Sequence, residues 1–217
     1  MRKKPDNANA NWLLGRWYHS QQLLDQAIEY YNKSLEIDPA NGYIQFTLGS
    51  AYCQKGQLDD AVRCLQKGAQ LDPGNAEGRC ILGEALLAQG RVPEAVDTFQ
   101  KVLNLDPDSV EALNIFALVL ATNPDDHVRD GARAVQLAEH ACRLTHYQEP
   151  LPVGTLAAAY AEAGRYDEAI ATSEKACDLA KQRGETDLFQ KNQKLRELYR
   201  AHKPYREPHP IPVKTPS

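Results

Sequence analysis

The chain has 217 residues, of which 42% are hydrophobic and only 7% aromatic, with 13 glycines and 13 prolines, a composition that suits short repeated helices better than a sheet domain. No run of 18 apolar residues and no charged, apolar leader occurs, so a membrane span and a secretory signal are not expected. The net charge of -4 combines -9 over residues 1–180 with +5 over residues 181–217, and an acidic body argues against nucleic-acid binding.

A proline recurs in one frame, each 34 residues after the last: Pro5, Pro39, Pro73 and Pro107. Three units that begin at Ala8, Gly42 and Ala76 carry the same residue types at the same offsets within this frame. Each unit has two apolar stripes at helical spacing, so each is predicted to form two amphipathic helices. The stripes of the first unit are Leu14, Gly15 and Tyr18, then Ala27, Tyr31 and Ser34.

Glycines at two offsets have separate expected roles. Gly15, Gly49 and Gly83 lie inside the first helix of their units, where a glycine costs roughly 1 kcal/mol relative to alanine. We expect each to face the alanine of the second helix, so that the paired backbones approach closely. A second set lies between the two helices and is expected to end the first one in a left-handed conformation: Gly56, Gly90 and Gly164.

This pattern resembles the tetratricopeptide repeat, whose signature is W-x2-L-G-x2-Y, A-x3-F and a closing Pro. The resemblance covers about residues 8–180, although Asn11, Gln45 and Arg79 stand where the signature has its first Trp. It implies an all-α, right-handed superhelical solenoid of about five antiparallel helix pairs, followed by a C-terminal capping helix. The last repeats are similar to those of bacterial proteins.

The predicted units lie near residues 8–41, 42–75, 76–109, 110–149 and 150–183. In the fourth unit, residues 123–131 push the two helices about five residues apart. Residues 184–203 are predicted to form the capping helix; a membrane-surface helix is the alternative, but repeat arrays need a polar cap. The tail at residues 204–217 is Pro-rich and is expected to be extended or disordered.

The N-terminus gives two opposed indications. Residues 1–7, with Pro5 in register, look like the end of a preceding repeat, which suggests a segment of a longer chain. Trp17 stands where later units have Ala51 and Ala85, and a large side chain there could act as a lid over an open end. We expect the first interpretation, a segment of a longer chain, because the proline is in register four times.

The resemblance implies a concave groove, lined mainly by the first helix of each unit, that binds a peptide or a partner helix. A second stripe of each first helix, at offsets 2, 5, 9 and 12, is predicted to face it. The candidate partner-binding residues are Trp12, Arg16, His19, Tyr43, Phe46, Ser50, Glu77, Glu84, Glu111 and Asn114.

These residues predict a groove with an aromatic end and an acidic middle, and hence a partner with an apolar anchor and basic residues. The alternative is that the charges are ordinary surface charges and that Trp12 and Phe46 pack against their neighbours. A subset of the family holds acidic peptide C-termini through Lys and Asn at offsets 5 and 9 of its first unit. Because Trp12 and Arg16 stand there, we expect that activity to be absent.

No catalytic, metal or cofactor motif supports an enzyme. Asp125, Asp126 and His127 share one loop but are expected to be solvated. The odd number of cysteines without a C-x-x-C pair predicts small buried side chains in a reducing compartment: Cys53, Cys64, Cys80, Cys142 and Cys177.

We therefore predict a cytoplasmic, non-enzymatic protein–protein interaction scaffold with no cofactor, no nucleic acid and no membrane partner. The alternative is a regulatory or substrate-recruiting segment of a larger multi-domain protein, such as an enzyme or a membrane protein. Self-association is left open.

Overall fold

A computed structural model of the protein describes residues 7–207, which form eleven α-helices and no strand. The helices are α1 (Ala8–Ser20), α2 (Leu24–Ile37), α3 (Gly42–Gln54), α4 (Leu58–Leu71), α5 (Ala76–Ala88), α6 (Val92–Leu105), α7 (Val110–Thr122), α8 (Gly131–Leu144), α9 (Pro150–Glu162), α10 (Tyr166–Gln182) and α11 (Thr186–Arg200). Residues 1–6 of the predicted end of a preceding repeat (residues 1–7), and residues 208–217 of the predicted Pro-rich tail (residues 204–217), lie outside the described residues.

The described chain divides into two compact units between Leu105 and Asp106. The first contains three helix pairs, α1 to α6, and the second contains two pairs, α7 to α10, followed by α11. Within the units, the second helix of a pair also contacts the first helix of the next pair, as α2 contacts α3 and α8 contacts α9. Each unit is therefore an all-α stack of helix pairs. Over residues 7–207, no helix is both long enough and apolar enough to cross a membrane.

Left-handed residues make the tight turn inside most helix pairs, as the sequence predicts. Gly56, Gly90 and Gly164 have φ angles of 76°, 74° and 75°. Gln22 takes the same place in the first pair, with a φ of 59°. A side chain in this conformation costs roughly 1–2 kcal/mol, so the first turn is more strained than its counterparts.

The recurring Asp-Pro-x-Asn sequence joins one pair to the next. The Asn41 side-chain oxygen accepts a hydrogen bond from the Ile44 backbone N–H at 3.1 Å, and so caps α3. Asp38 accepts a hydrogen bond from the Asn41 side-chain amide at 2.9 Å, which holds the cap in place. Asn75 caps α5 in the same way, by accepting from Gly78 N–H at 2.8 Å. Every 34 residues, therefore, one short sequence both ends the last helix of a pair and caps the first helix of the next pair.

The helix glycines make room for a large side chain of the second helix. A methyl group on Gly83 would lie 2.7 Å from the Phe99 ring, and one on Gly15 would lie 2.6 Å from the Tyr31 ring. The expected close approach to the alanine of the second helix is also present, because the Ala27 carbonyl oxygen would lie 3.3 Å from the Gly15 methyl. The ring, rather than the alanine, fills most of the space.

The second unit contains the long connection that the sequence predicts. Residues 123–130 separate α7 from α8, five more residues than the connection 55–57 between α3 and α4. Arg129 orders this loop: its guanidinium donates to Glu162 Oε1 at 2.9 Å and to the carbonyl oxygens of Asn123 and Pro124. The insertion is thus attached to the end of α9.

The C-terminal helix α11 closes the second unit. Its apolar residues Leu195 and Tyr199 pack inward against Ala157 and Ala161 of α9, and its outer face is polar and exposed. Tyr205, in the chain that follows α11, packs against this cluster. The first residues of the predicted tail are therefore attached to the unit.

We predict that Gly83→Ala destabilises the protein because Phe99, which is fully buried, cannot move away from the added methyl group. Overpacking costs about 1–3 kcal/mol. This exceeds the roughly 1 kcal/mol by which alanine is favoured over glycine in a helix. Urea unfolding followed by circular dichroism should show a lower free energy of unfolding. Gly74→Ala is the control, since no heavy atom lies within 4 Å of its added methyl, and equal stability of the two variants would contradict the prediction.

Candidate functional site

A concave cleft of about 390 Å³ lies on the first unit. Its walls come from the first helices of three successive pairs, α1, α3 and α5, with contributions from α2 and from the turns. Six of the predicted partner-binding residues line it: Arg16, His19, Tyr43, Phe46, Ser50 and Glu77. The helix-angle argument therefore predicted the location of this cleft, whereas binding in it stays a prediction.

Trp12, Arg16 and Tyr43 form one group at the α1 side of the cleft. The Arg16 guanidinium lies 4.9 Å from the centre of the Trp12 ring, in a cation–π contact. Trp12 and Tyr43 meet edge to face, with ring centres 5.7 Å apart. Tyr43 is 47% exposed, so it is the aromatic side chain of this group that a ligand can reach. Trp12 lines a second, adjoining pocket together with Tyr43.

His19 links the cleft to the core of the first pair. Its Nδ1 lies 3.2 Å from the hydroxyl of Tyr31, the side chain that packs on Gly15. Burial raises the pKa of Tyr31 to about 12, although the nearby Arg16 lowers it. The Tyr31 hydroxyl thus stays protonated at neutral pH and can hold the imidazole in position.

Phe46 is the main correction to the predicted site. It was expected to be an exposed anchor, but it is only 3% exposed. Its ring packs where methyl groups on Gly68 of α4 and Gly78 of α5 would otherwise lie, 2.9 Å and 2.5 Å from ring atoms. The alternative interpretation, packing against neighbours, is therefore correct for Phe46.

The predicted acidic middle of the groove is also only partly present. Glu84 is 7% exposed and Asn114 is 6% exposed, so neither presents its side chain to an open groove. The physical reason is that first helices pack against one another within a unit, as α3 does with α5 and α7 with α9, which encloses part of this stripe. Glu77 and Glu111 are exposed; Glu77 lies in the first unit and Glu111 in the second.

Several cleft residues were missed in the sequence. Gln54 lies one turn beyond Ser50 on α3, at offset 13 of its unit, next to the predicted offset 12, which is the buried Cys53. Asn75 lines the cleft as well as capping α5. Gln22 also lines the cleft, and its backbone has the strained left-handed conformation. In the sequence, the sign of this conformation is that Gln22 stands at the offset where later units have Gly56 and Gly90.

Candidate reactive groups elsewhere have structural partners. Asp125 Oδ1 accepts a hydrogen bond from the His127 backbone N–H at 3.0 Å, so this carboxylate stabilises the turn of an exposed loop.

All five cysteines are free, and four are buried, with Cys64 partly exposed. Burial raises the pKa of Cys53 and of Cys142 to about 12, which keeps both thiols protonated and weakly nucleophilic.

The N-terminal helix has an uncovered apolar face. Leu13, Leu14 and Trp17 are 50%, 43% and 55% exposed, whereas Ala51 and Ala85, at the offset of Trp17, are fully buried. The Trp17 ring contacts the adjacent Tyr18 edge to face, with centres 4.9 Å apart. Trp17, the side chain that could act as a lid, therefore lies on the surface of the described structure.

Two family models, both described as tetratricopeptide repeat, match the chain, one over residues 46–126 and the other over 8–41 and 154–183, together more than half of the chain. The chain belongs to the tetratricopeptide repeat family. The all-α repeat fold predicted from the sequence is thus confirmed, and the protein is a tetratricopeptide-type protein-interaction scaffold. Proteins of this family and fold are known as non-enzymatic interaction modules. No curated protein sequence matches the chain.

Solved structures of repeat proteins are similar over most of the chain. MamA is 24% identical, with 84% of this chain and 96% of MamA covered and a TM-score of 0.71. YrrB, described as having an unusual peptide-binding site, is 19% identical, with 88% and 93% covered and a TM-score of 0.69. The first repeat domain of Spaghetti, bound to an HSP90 peptide, is 25% identical, with 53% and 91% covered and a TM-score of 0.50.

We predict that Phe46 contributes much more to stability than Tyr43 does. Phe46→Ala should lower the free energy of unfolding by about 3–5 kcal/mol, because it leaves a cavity between α4 and α5. Tyr43→Ala removes a half-exposed side chain and its edge-to-face contact with Trp12, so it should lower the free energy of unfolding by only about 0.5–1.5 kcal/mol. Urea titrations of the two variants test this pair. A Phe46→Ala protein as stable as wild type would show that the ring is not a core residue.

We also predict that thiol reactivity follows burial. With Ellman's reagent at pH 8, Cys64 should react first, since the other four cysteines are buried. Burial raises the pKa of Cys64 as well, so even this reaction should be slower than that of a free thiol. Cys64→Ser should remove the fastest phase, while all five thiols of the wild type should react rapidly in urea. Five equally fast thiols in the native protein would contradict the burial described above.

Proposed function

We propose that the first unit binds a peptide segment of a partner protein in the cleft lined by α1, α3 and α5. One observation carries the proposal: three successive first helices bring five of the predicted partner-binding residues that are not buried to a single cleft of about 390 Å³, namely Arg16, His19, Tyr43, Ser50 and Glu77. Clefts of this size accommodate a few side chains of a ligand, and lie within the usual range for small binding sites.

The chemistry of the cleft suits a peptide. Tyr43 offers an exposed aromatic surface, and aromatic and arginine side chains are the usual anchors of protein interfaces. Ser50 and Gln54 add hydrogen-bonding groups to the α3 wall; Gln54 Oε1 is buried and has no hydrogen-bond partner among the described residues. Polar groups of this kind can pair with the backbone of an extended ligand.

The similarity to known proteins supports the same use. The Spaghetti domain, which covers about half of this chain, holds an HSP90 peptide. The expected chemistry of the partner changes in one respect. Because Glu84 is buried, Glu77 is the carboxylate that lines the cleft, so we expect a single basic residue of the partner to pair there and not a series of them.

The proposal is tested with a cleft variant and a control that removes the same classes of side chain. Arg16→Ala with Tyr43→Ala removes a cation and an aromatic ring from the cleft. Arg63→Ala with Trp17→Ala removes a cation and an aromatic ring from exposed positions outside it. Peptides selected from a random 12-residue phage library on the wild-type protein serve as ligands, and fluorescence anisotropy measures their affinity.

We expect the cleft variant to weaken binding of the selected peptides by more than about 2 kcal/mol, because it removes two anchors. The control variant should bind as the wild type does. If the cleft variant also binds as well as wild type, or if the control loses as much affinity, peptides bind elsewhere and the proposal is wrong.

We further propose that the protein functions in a reducing compartment such as the cytoplasm. The five cysteines are all free thiols, which is usual in that compartment. Fractionation of the source cells, followed by immunoblotting of the native protein, tests the location. Recovery outside the cytoplasm would contradict it.

A further inference from the structure

The cleft holds two opposite charges that have no ion-pair partner among the residues that the structure describes. Arg16 and Glu77 are its charged lining residues besides His19, and neither forms an ion pair among residues 7–207. Elsewhere in the first unit, five exposed ion pairs are present, such as Lys55 with Asp25 and Lys101 with Asp97. The two cleft charges are thus available to a ligand.

The positive charge lies against an aromatic ring. The Arg16 guanidinium is over the Trp12 ring, 4.9 Å from its centre, and this cation–π contact favours one position of the side chain without neutralising its charge. Helix α1 contains no acidic residue that could pair with it. A guanidinium has its N–H groups at its edge, where they can donate two hydrogen bonds to one carboxylate.

The negative charge lies on the opposite wall. Glu77 is exposed in the first turn of α5, close to the Asn75 cap, where the helix dipole favours a carboxylate. Helix α3 separates it from Arg16 and supplies Tyr43 and Ser50 between the two charges. The order across the cleft is therefore cation, exposed aromatic ring, anion.

The expected spacing suits a short extended peptide. One first helix lies between α1 and α5 in the cleft, and packed helix axes lie about 8–10 Å apart, so we expect the first and third helices to be on the order of 15–20 Å apart. An extended chain advances about 3.3 Å per residue, so about five residues span this distance. Two charges on such a segment would reach both walls.

From this arrangement we infer that the cleft selects bipolar peptides: an acidic residue that pairs with Arg16, a basic residue about five positions away that pairs with Glu77, and an apolar or aromatic residue between them that contacts Tyr43. This inference rests on the proposed function and names its partner chemistry. Complementary charges at the two walls would specify the direction in which the peptide binds as well as its sequence.

The test uses the full chain and four proteins: wild type, Arg16→Glu, Glu77→Lys, and the double variant that exchanges the two charges. Arg63→Glu, on α4 outside the cleft, is the control for a charge change alone. Each protein selects peptides from the same random 12-residue phage library. The best wild-type peptide is then synthesised together with a version in which its acidic and basic residues are exchanged.

Wild type and the control should prefer the original peptide by at least tenfold, and each single variant should bind it at least tenfold more weakly. The double variant should prefer the exchanged peptide, a reversal that misfolding could not produce. Unchanged preference in the double variant, or selected peptides without paired charges, would overturn the inference while leaving peptide binding in the cleft intact. If no peptide is enriched by the wild type, the proposed function itself fails.

Discussion

The packing of one large side chain over one helix glycine is the contact on which the first unit depends. Tyr31 on Gly15, Leu65 on Gly49 and Phe99 on Gly83 repeat it in three successive pairs. Because the glycine has no side chain, the second helix can approach closely, and the buried ring or leucine then fixes the distance and rotation between the two helices. This contact therefore also determines the orientation of the other face of α1, α3 and α5, which lines the cleft. The cleft is thus a consequence of the core.

Two links connect core and cleft directly. The Tyr31 ring packs on Gly15 while its hydroxyl reaches His19, so one side chain serves both the helix pair and the cleft wall. Phe46 makes the same kind of contact between helix pairs, because its ring packs over Gly68 and Gly78, which have no side chains. An aromatic residue that would otherwise project into the cleft is therefore used to join α3 to its neighbours, and Tyr43 remains as the exposed ring.

The sequence predicts the helices well because the signals for them are local. The Asp-Pro-x-Asn turn and the left-handed Gly56 and Gly90 each act within a few residues of their own position. The cleft residues Arg16 and Tyr43 were also predictable, since helix angle alone determines which way they project. Phe46 was not, because its burial depends on Gly68 and Gly78 in other helices. Glu84 was predicted to line the groove, and its burial was missed for the same reason: the angular position of a residue on its own helix does not show that a neighbouring first helix packs over it.

The division between repeated and variable offsets explains how one fold can recognise particular partners. The offsets filled by the helix glycine and by the alanine of the second helix are buried in all three pairs of the first unit, so a change there would disturb the stacking of the helices. Offsets 2 and 9 vary in charge: offset 9 is Arg16 in the first pair and Ser50 in the second, and offset 2 is Asn9 in the first pair and Glu77 in the third. Both Arg16 and Glu77 are exposed. Exposed charges contribute little to stability, roughly 0–1 kcal/mol each. Their sign can therefore change between repeats without cost to the fold, which makes the charge order of the cleft a property that evolution can set independently of the scaffold.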